Sequence, residues 1–268
     1  MTVLAIASPK GGVGKTTIAL NLAFALSGRG HRTLLVDLDP QGSIGLSLAG
    51  RPKDAPGLYE TLSDGRDPFS HIIQTRRREL SLLTFGQPDM GQLAQWSREL
   101  EGDGRLLRLL GHLDAEYDLV IVDTPAGCGG LTREGLEGST HVISPLQTDP
   151  LALRALPQLV ATVGSLRAEG APVELIGVVL TMTRFRESLA ANVAQEAWSL
   201  LPEDLVTDTH IPYDRVFAEA SAKGVPVGLM RRRPPPAAAV FDHLALEIEP
   251  KLGILPAEED DEPIHLVD

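Results

Sequence analysis

The chain has one cysteine, Cys128, among 268 residues. That excludes an intrachain disulfide framework and any structural zinc site built on several thiolates, and it fits a reducing cytoplasm. Long apolar runs are missing too. No stretch approaches the ~20 residues that a helix needs to cross a bilayer. The apolar N-terminus runs straight into a glycine-rich turn, so no signal peptide is expected. No internal repeat is visible. Positive charge is also scarce: 24 Lys and Arg stand against 36 Asp and Glu, a net charge of −12. A strongly basic nucleic-acid binder is therefore not expected, although a local basic patch is compatible with this balance. Residues 251–268 carry −5 of the total, with Glu258, Glu259, Asp260, Asp261, Glu262 and Asp268 against Lys251.

What is present is an ordinary globular composition, 43% hydrophobic and 22% charged, with enough apolar surface for one sizeable core. Its most informative stretch is Pro9-Lys10-Gly11-Gly12-Val13-Gly14-Lys15-Thr16-Thr17. The apolar run from Thr2 to Ala7 before it suits a buried strand, and Ile18 to Leu26 after it has helical spacing. Strand, glycine-rich turn and helix form the setting in which a phosphate loop works. Gly11, Gly12 and Gly14 let the backbone turn its N–H groups inward with no Cβ in the way. A helix starting at Lys15 adds its N-terminal partial charge. Lys15 then bridges the β- and γ-phosphates of a nucleoside triphosphate, and the Thr16 hydroxyl ligates Mg²⁺.

The general pattern wants glycine where Pro9 stands, and it has no second lysine at Lys10. With that lysine, Lys10 to Thr17 resembles the deviant Walker A box of the ParA/MinD family of P-loop ATPases. The resemblance implies that Lys10 reaches across an ATP-sandwich dimer to the partner's nucleotide, and that Lys10, Gly11, Gly12, Val13, Gly14, Lys15, Thr16 and Thr17 cradle ATP. Downstream, Arg32 to Asp37 reads as a second buried strand that ends in Asp37-Leu38-Asp39-Pro40-Gln41-Gly42, similar to the family's D-x-D-P-Q-G signature. By that match Asp39 positions or activates the attacking water, and Asp37 supports Mg²⁺ and its waters.

Tyr117 to Asp123 is an apolar strand closing on an acid, the form of a Walker B strand whose aspartate meets Mg²⁺ through water. The family usually continues D-x-P-P. Here Pro125 precedes Ala126-Gly127-Cys128-Gly129-Gly130, which suggests a mobile switch loop. Further strands are expected at Ile72-Ile73, Leu80 to Phe85, His141 to Leu146, Val173 to Thr181 and Val206 to Ile211. Helices are expected around Leu58 to Leu62, from Met90 to Leu100, Arg105 to Leu113, Pro150 (capped by Asp149) to about Arg167, Glu187 to Leu201 and Ala237 to Glu247. The Arg76-Arg77-Arg78 loop reads as a solvated turn, and Arg231-Arg232-Arg233 as a basic hinge.

Ile211-Pro212-Tyr213-Asp214, followed by Glu219-Ala220 and Gly224-Val225-Pro226-Val227, resembles the family's I-P segment. This implies that Pro212 and Asp214, with Met182 from the Leu180-Thr181-Met182 strand end, lie against the adenine. Arg186 falls where the family carries a DNA-contacting arginine. Arg215 stands near the second such position, one place early, and Arg184 and Lys223, with Arg231 to Arg233, complete a candidate basic face.

The fold expected is α/β: a mostly parallel twisted sheet with helices on both faces, as a P-loop NTPase of the deviant Walker A type. Residues 1–250 make one ATPase domain, and 251–268 an acidic tail expected to be disordered. The resemblance implies an ATP- and Mg²⁺-dependent partition or positioning ATPase. Such a protein dimerises on ATP, binds DNA of the nucleoid without sequence preference, and is released when a ParB-like or other cargo-adaptor protein stimulates hydrolysis. A membrane-cycling MinD-like role needs a basic amphipathic C-terminal helix, whereas this chain carries acids there. An iron–sulfur carrier needs two cysteines per subunit. An ATP-binding scaffold with very slow turnover stays open beside the first reading, as do chromosome, plasmid, organelle and receptor cluster as cargo. No helix-turn-helix precedes the first strand, so operator binding is not expected.

Overall fold

A computed structural model describes residues 1–42, 44, 55–65, 67–88 and 90–254. In chain order the elements are β1 (Thr2–Ile6), α1 (Lys15–Gly28), β2 (Thr33–Asp37), α2 (Leu58–Asp64), β3 (Ile73–Gln74), β4 (Leu80–Leu83), α3 (Met90–Leu100), α4 (Arg105–His112) and β5 (Leu119–Asp123). They continue with α5 (Leu131–Glu137), β6 (His141–Gln147), α6 (Pro150–Ala168), β7 (Glu174–Thr183), α7 (Ser188–Leu200), β8 (Ile211–Pro212), α8 (Arg215–Lys223) and α9 (Ala239–Leu252).

The strands form one sheet in the order β3-β4-β2-β5-β1-β6-β7-β8. Every pairing is parallel except β3 with β4. The interiors of the central strands are apolar on both faces because helices cover the sheet on each side, while β2 and β5 close on Asp37 and Asp123. Within β1 the side chains alternate. Leu4 and Ile6 join the core under α1 and α9, while Val3 and Ala5 face the opposite helical layer. The chain leaves β1 for β2 on one side and later crosses from β5 to β6 on the other. The strand order therefore reverses beside β1, and ligands of open α/β sheets gather at such a point. The loop after β1 opens there.

One expected strand is corrected. Val206 to Ile211 is not continuous: Val206 makes a single parallel bridge to Val178, and only Ile211–Pro212 forms a strand. Between them Thr207 turns back on itself, its hydroxyl donating to the Thr209 carbonyl. The N–H groups of Asp208 and Thr209 donate to the Glu247 carboxylate on α9 instead of to a strand. α9 itself runs to Leu252, past the domain end expected at residue 250, and Ile254 still packs on the core. Of the acidic tail, residues 255–268 lie outside the described residues.

Candidate active site

The loop between β1 and α1 is built to leave donors open. Gly14, the residue that caps α1, sits at φ 97° and offers no side chain to the first turn. Gly12 is also left-handed, at φ 75°. Side chains cap other helices: Asp149 accepts from the N–H of Leu151 on α6, and Asp214 from that of Val216 on α8. At α1 no described side chain caps the first-turn N–H groups, which leaves donors open as an anion site requires. The loop is pinned from a neighbouring strand, since the Thr181 hydroxyl donates to the Val13 carbonyl at 2.9 Å.

Lys15 is buried. Burial pushes its pKa below the usual lysine value, while the charges of Asp123 and Asp39 act to hold it up. Asp37 and Asp123 are register partners at the ends of β2 and β5, and both are fully buried. Burial raises both carboxyls. Asp123 stands at about 7, held back by Thr16 and Lys15, and Asp37 is pushed well above the ordinary aspartate value by burial and by the charge of Asp123.

The two acids differ in their partners. Asp37 Oδ1 and Oδ2 accept the N–H groups of Asp39 and Ile44, each at 3.2 Å, so Asp37 holds the turn that carries Asp39. Among the described residues neither oxygen of Asp123 has a partner within hydrogen-bonding geometry, although the Thr16 hydroxyl lies near enough to hold its pKa down. A buried carboxylate with two unpartnered oxygens, beside Thr16, is a donor set suited to Mg²⁺ and its waters. Asp39 is half-buried, and its Oδ1 takes the Gln41 N–H at 3.0 Å.

Lys10 does not turn into its own loop. Its Nζ donates to Gln147 Oε1 at 3.3 Å and to Asp149 Oδ1 at 3.0 Å, at the junction of β6 and α6. That contact holds the Asp149 carboxyl below the usual range. Asp149 thus caps its helix, as the sequence suggests, and also binds Lys10.

A pocket of 250 Å³ opens beside the loop. Gly14, Thr181, Met182, Pro212, Asp214 and Phe217 are among its lining residues. It brings together Met182, Pro212 and Asp214, the three residues expected near adenine. Met182 is held at φ 52°, a conformation that side chains other than glycine rarely adopt. Sequence reading missed Phe217, Tyr213 and Thr181 here. The only signal for them was their place at the end of β7 and just after Pro212.

Arg184 is committed elsewhere, its guanidinium stacked 3.7 Å from the Tyr213 ring centroid and paired with Glu187 at 3.3 Å. Arg186, Arg215 and Lys223 are exposed and form no ion pair with any described residue. Cys128 is a free, buried thiol whose pKa burial raises.

Residues 1–173 match the family model described as an AAA domain. The sporulation initiation inhibitor protein Soj of Bacillus subtilis is 34% identical over 248 residues, covering 92% of this chain and 97% of its own. The chromosome partitioning protein ParA of Caulobacter vibrioides is 35% identical over 235 residues, covering 85% and 86%. Among solved structures, cobyrinic acid a,c-diamide synthase from Mycobacterium smegmatis with bound ADP and magnesium superposes with a TM-score of 0.75 at 30% identity. That match covers 94% of this chain and 97% of the other.

Proposed function

The chain belongs to the ParA/Soj family of P-loop ATPases, and on that premise we propose that it is a nucleotide-switched partition or positioning ATPase. Its ATP-bound form is a two-fold dimer that holds DNA without sequence preference. Hydrolysis, stimulated by a partner protein, breaks the dimer and releases the DNA.

The chain is an ATPase that uses Mg²⁺. The chemistry asks for positioning and charge neutralisation more than for covalent catalysis. The N–H groups from Gly11 to Thr17 and the Lys15 ammonium hold the β- and γ-phosphates. Thr16 and Asp123, with Asp37 behind them, would hold Mg²⁺, which would add to the neutralisation of phosphate charge. Asp39 orients the attacking water, and Met182, Pro212 and Asp214 hold the base.

The observation that carries the dimer reading is the position of Lys10. Lys15 already fills the cationic role inside the loop, while Lys10 rests outside it on Gln147 and Asp149. A second cation at the rim, not needed inside its own loop, supports the reading that it serves the phosphates of another copy. The MinD-like alternative finds less support, because the apolar side of α9 (Phe241, Leu244, Ile248 and Leu252) is buried in the core shared with α1. Among the described residues, no helix is long and apolar enough to cross a membrane.

The test is the mass of the particle by light scattering. Asp39→Ala should bind Mg·ATP, fail to hydrolyse it and accumulate as a dimer, with a monomer in ADP. A variant that stays monomeric in ATP while the wild type dimerises would sink the role given to Asp39. A wild type that never dimerises would sink the reading as a whole.

A further inference from the structure

Away from the nucleotide, a cavity of 520 Å³ opens between the second half of α1, the β3–β4 hairpin and the segment leading into α9. Its lining includes Phe24, Arg77, Arg231, Arg232, Phe241 and Asp242, three arginines against one carboxylate. Arg77 is built in. Its guanidinium stacks 3.8 Å from the Phe24 ring centroid and donates to the Phe24 carbonyl at 2.9 Å, in space left by the missing side chain of Gly28. The expected solvated turn at 76–78 is thus half true: Arg76 and Arg78 are exposed, and Arg77 is folded against α1. Arg231 and Arg232 are exposed and form no ion pair with any described residue.

We infer that this groove takes the chain's own acidic segment, Glu258 to Glu262. Charge complementarity is the first argument. Beyond residue 254 the chain has six Asp and Glu and no Lys or Arg, and the five consecutive acids face three arginines in a cleft with apolar walls.

Reach is the second argument. Ile254 packs on the core shared by α1 and α9, the helical layer in which the cavity opens. From Leu252 back to Phe241 along α9 is about 16 Å at 1.5 Å per residue. The four to eight residues from Ile254 to Glu258 and Glu262 span up to about 13 to 26 Å when extended. Glu258 falls short of that distance, and the later acids of the run, up to Glu262, reach back along α9 to the cavity beside Phe241.

A tethered segment acts at an effective concentration of the order of 1 mM, so a free-segment Kd of about 0.1 mM keeps the groove mostly filled. The acids then compete with DNA phosphate for Arg231 and Arg232 and weaken DNA binding about tenfold at low salt. This last consequence rests on the DNA reading above, and the occupancy of the groove does not.

The test keeps the full chain and neutralises the segment with Glu258→Gln, Glu259→Gln, Asp260→Asn, Asp261→Asn and Glu262→Gln. A fluorescein-labelled peptide of residues 255–268 should raise its anisotropy on this variant at about 50 mM salt. That binding should weaken at least about fivefold when Arg231→Gln and Arg232→Gln are added, and disappear at about 0.5 M salt. Arg77 is left intact because it packs against α1. The neutralised variant should also hold arbitrary duplex DNA about tenfold tighter than wild type at low salt, with the gap independent of protein concentration. No peptide binding, or binding indifferent to Arg231 and Arg232, overturns the proposal. A gap that grows with protein concentration assigns the segment to a second copy and overturns it equally. If no variant binds DNA at all, the DNA reading falls, and the peptide measurement still decides the groove.

Discussion

Lys10 Nζ lies 3.0 Å from Asp149 Oδ1, so the second lysine of the phosphate loop is bound in cis to the residue that caps α6. To reach another subunit's phosphates it must leave that carboxylate. Both side chains are partly exposed, and such pairs are worth about 0.2–1 kcal/mol. Asp149→Asn keeps an oxygen for the helix cap and removes the charge. It should shift ATP-dependent dimerisation to ATP concentrations lower by a factor of roughly 1.5 to 5, measured by light scattering across an ATP titration. An unchanged midpoint would show that the pair does not restrain Lys10.

Lys15→Ala should weaken nucleotide binding roughly thirtyfold or more, the scale for truncating one member of a buried charge pair. Lys15 is the buried cation of the loop, set between the fields of Asp123 and Asp39. Titration with a fluorescent ATP analogue measures the loss, and wild-type affinity in the variant would defeat the phosphate-loop assignment.

Much of this site is visible in the sequence because parallel strands buried on both faces read as apolar runs, and their last residues sit at the crevice. Asp37 and Asp123 announce themselves that way, and the glycines around Lys15 do the same for the loop. Contacts between distant segments leave no local pattern. Lys10 and Asp149 are 139 residues apart, and each looks complete alone, as a surface lysine and a helix cap. α5 leaves no sequence signal for a related reason. It has only seven residues and follows a run of glycines, so its periodicity is too short to detect. Packing stabilises it instead: Leu131 and Leu136 are buried, and a Cβ at Gly135 would come within 2.8 Å of Leu38. The broken strand at 206–211 depended on Glu247, which no local pattern connects to Asp208 and Thr209.

Glu249 gives a pH-dependent test of the α1–α9 seam. It is buried, and its Oε1 takes hydrogen bonds from Arg29 at 2.6 Å and meets His31 Nε2 at 2.8 Å. Burial alone would raise its pKa, but these two partners outweigh burial and leave the carboxyl below the ordinary glutamate value. With the folded pKa below an unfolded value of about 4.3, the stabilisation is complete above that value. It is lost as pH falls through the folded pKa. Glu249→Gln should therefore cost about 2 kcal/mol near neutrality, or roughly 4–8 °C in Tm, and the difference should shrink below about pH 4. Thermal melts from pH 3 to 8 check this, and a gap that stays constant into acid would remove Glu249 from the account.

Duplex DNA binding as a function of nucleotide tests the central claim most directly. A chain of net charge −12 can hold DNA only through a concentrated basic face, and a two-fold dimer doubles whatever Arg186, Arg215 and Lys223 provide. Each phosphate neutralised adds roughly 0.9 to the slope of log affinity against log salt. Fluorescence anisotropy with an arbitrary duplex should show binding in Mg·ATP, none in ADP, and a steep loss as salt rises. Arg186→Glu with Arg215→Glu should abolish it while leaving ATP binding intact. DNA binding that is the same in ATP and ADP and survives both substitutions would contradict the account.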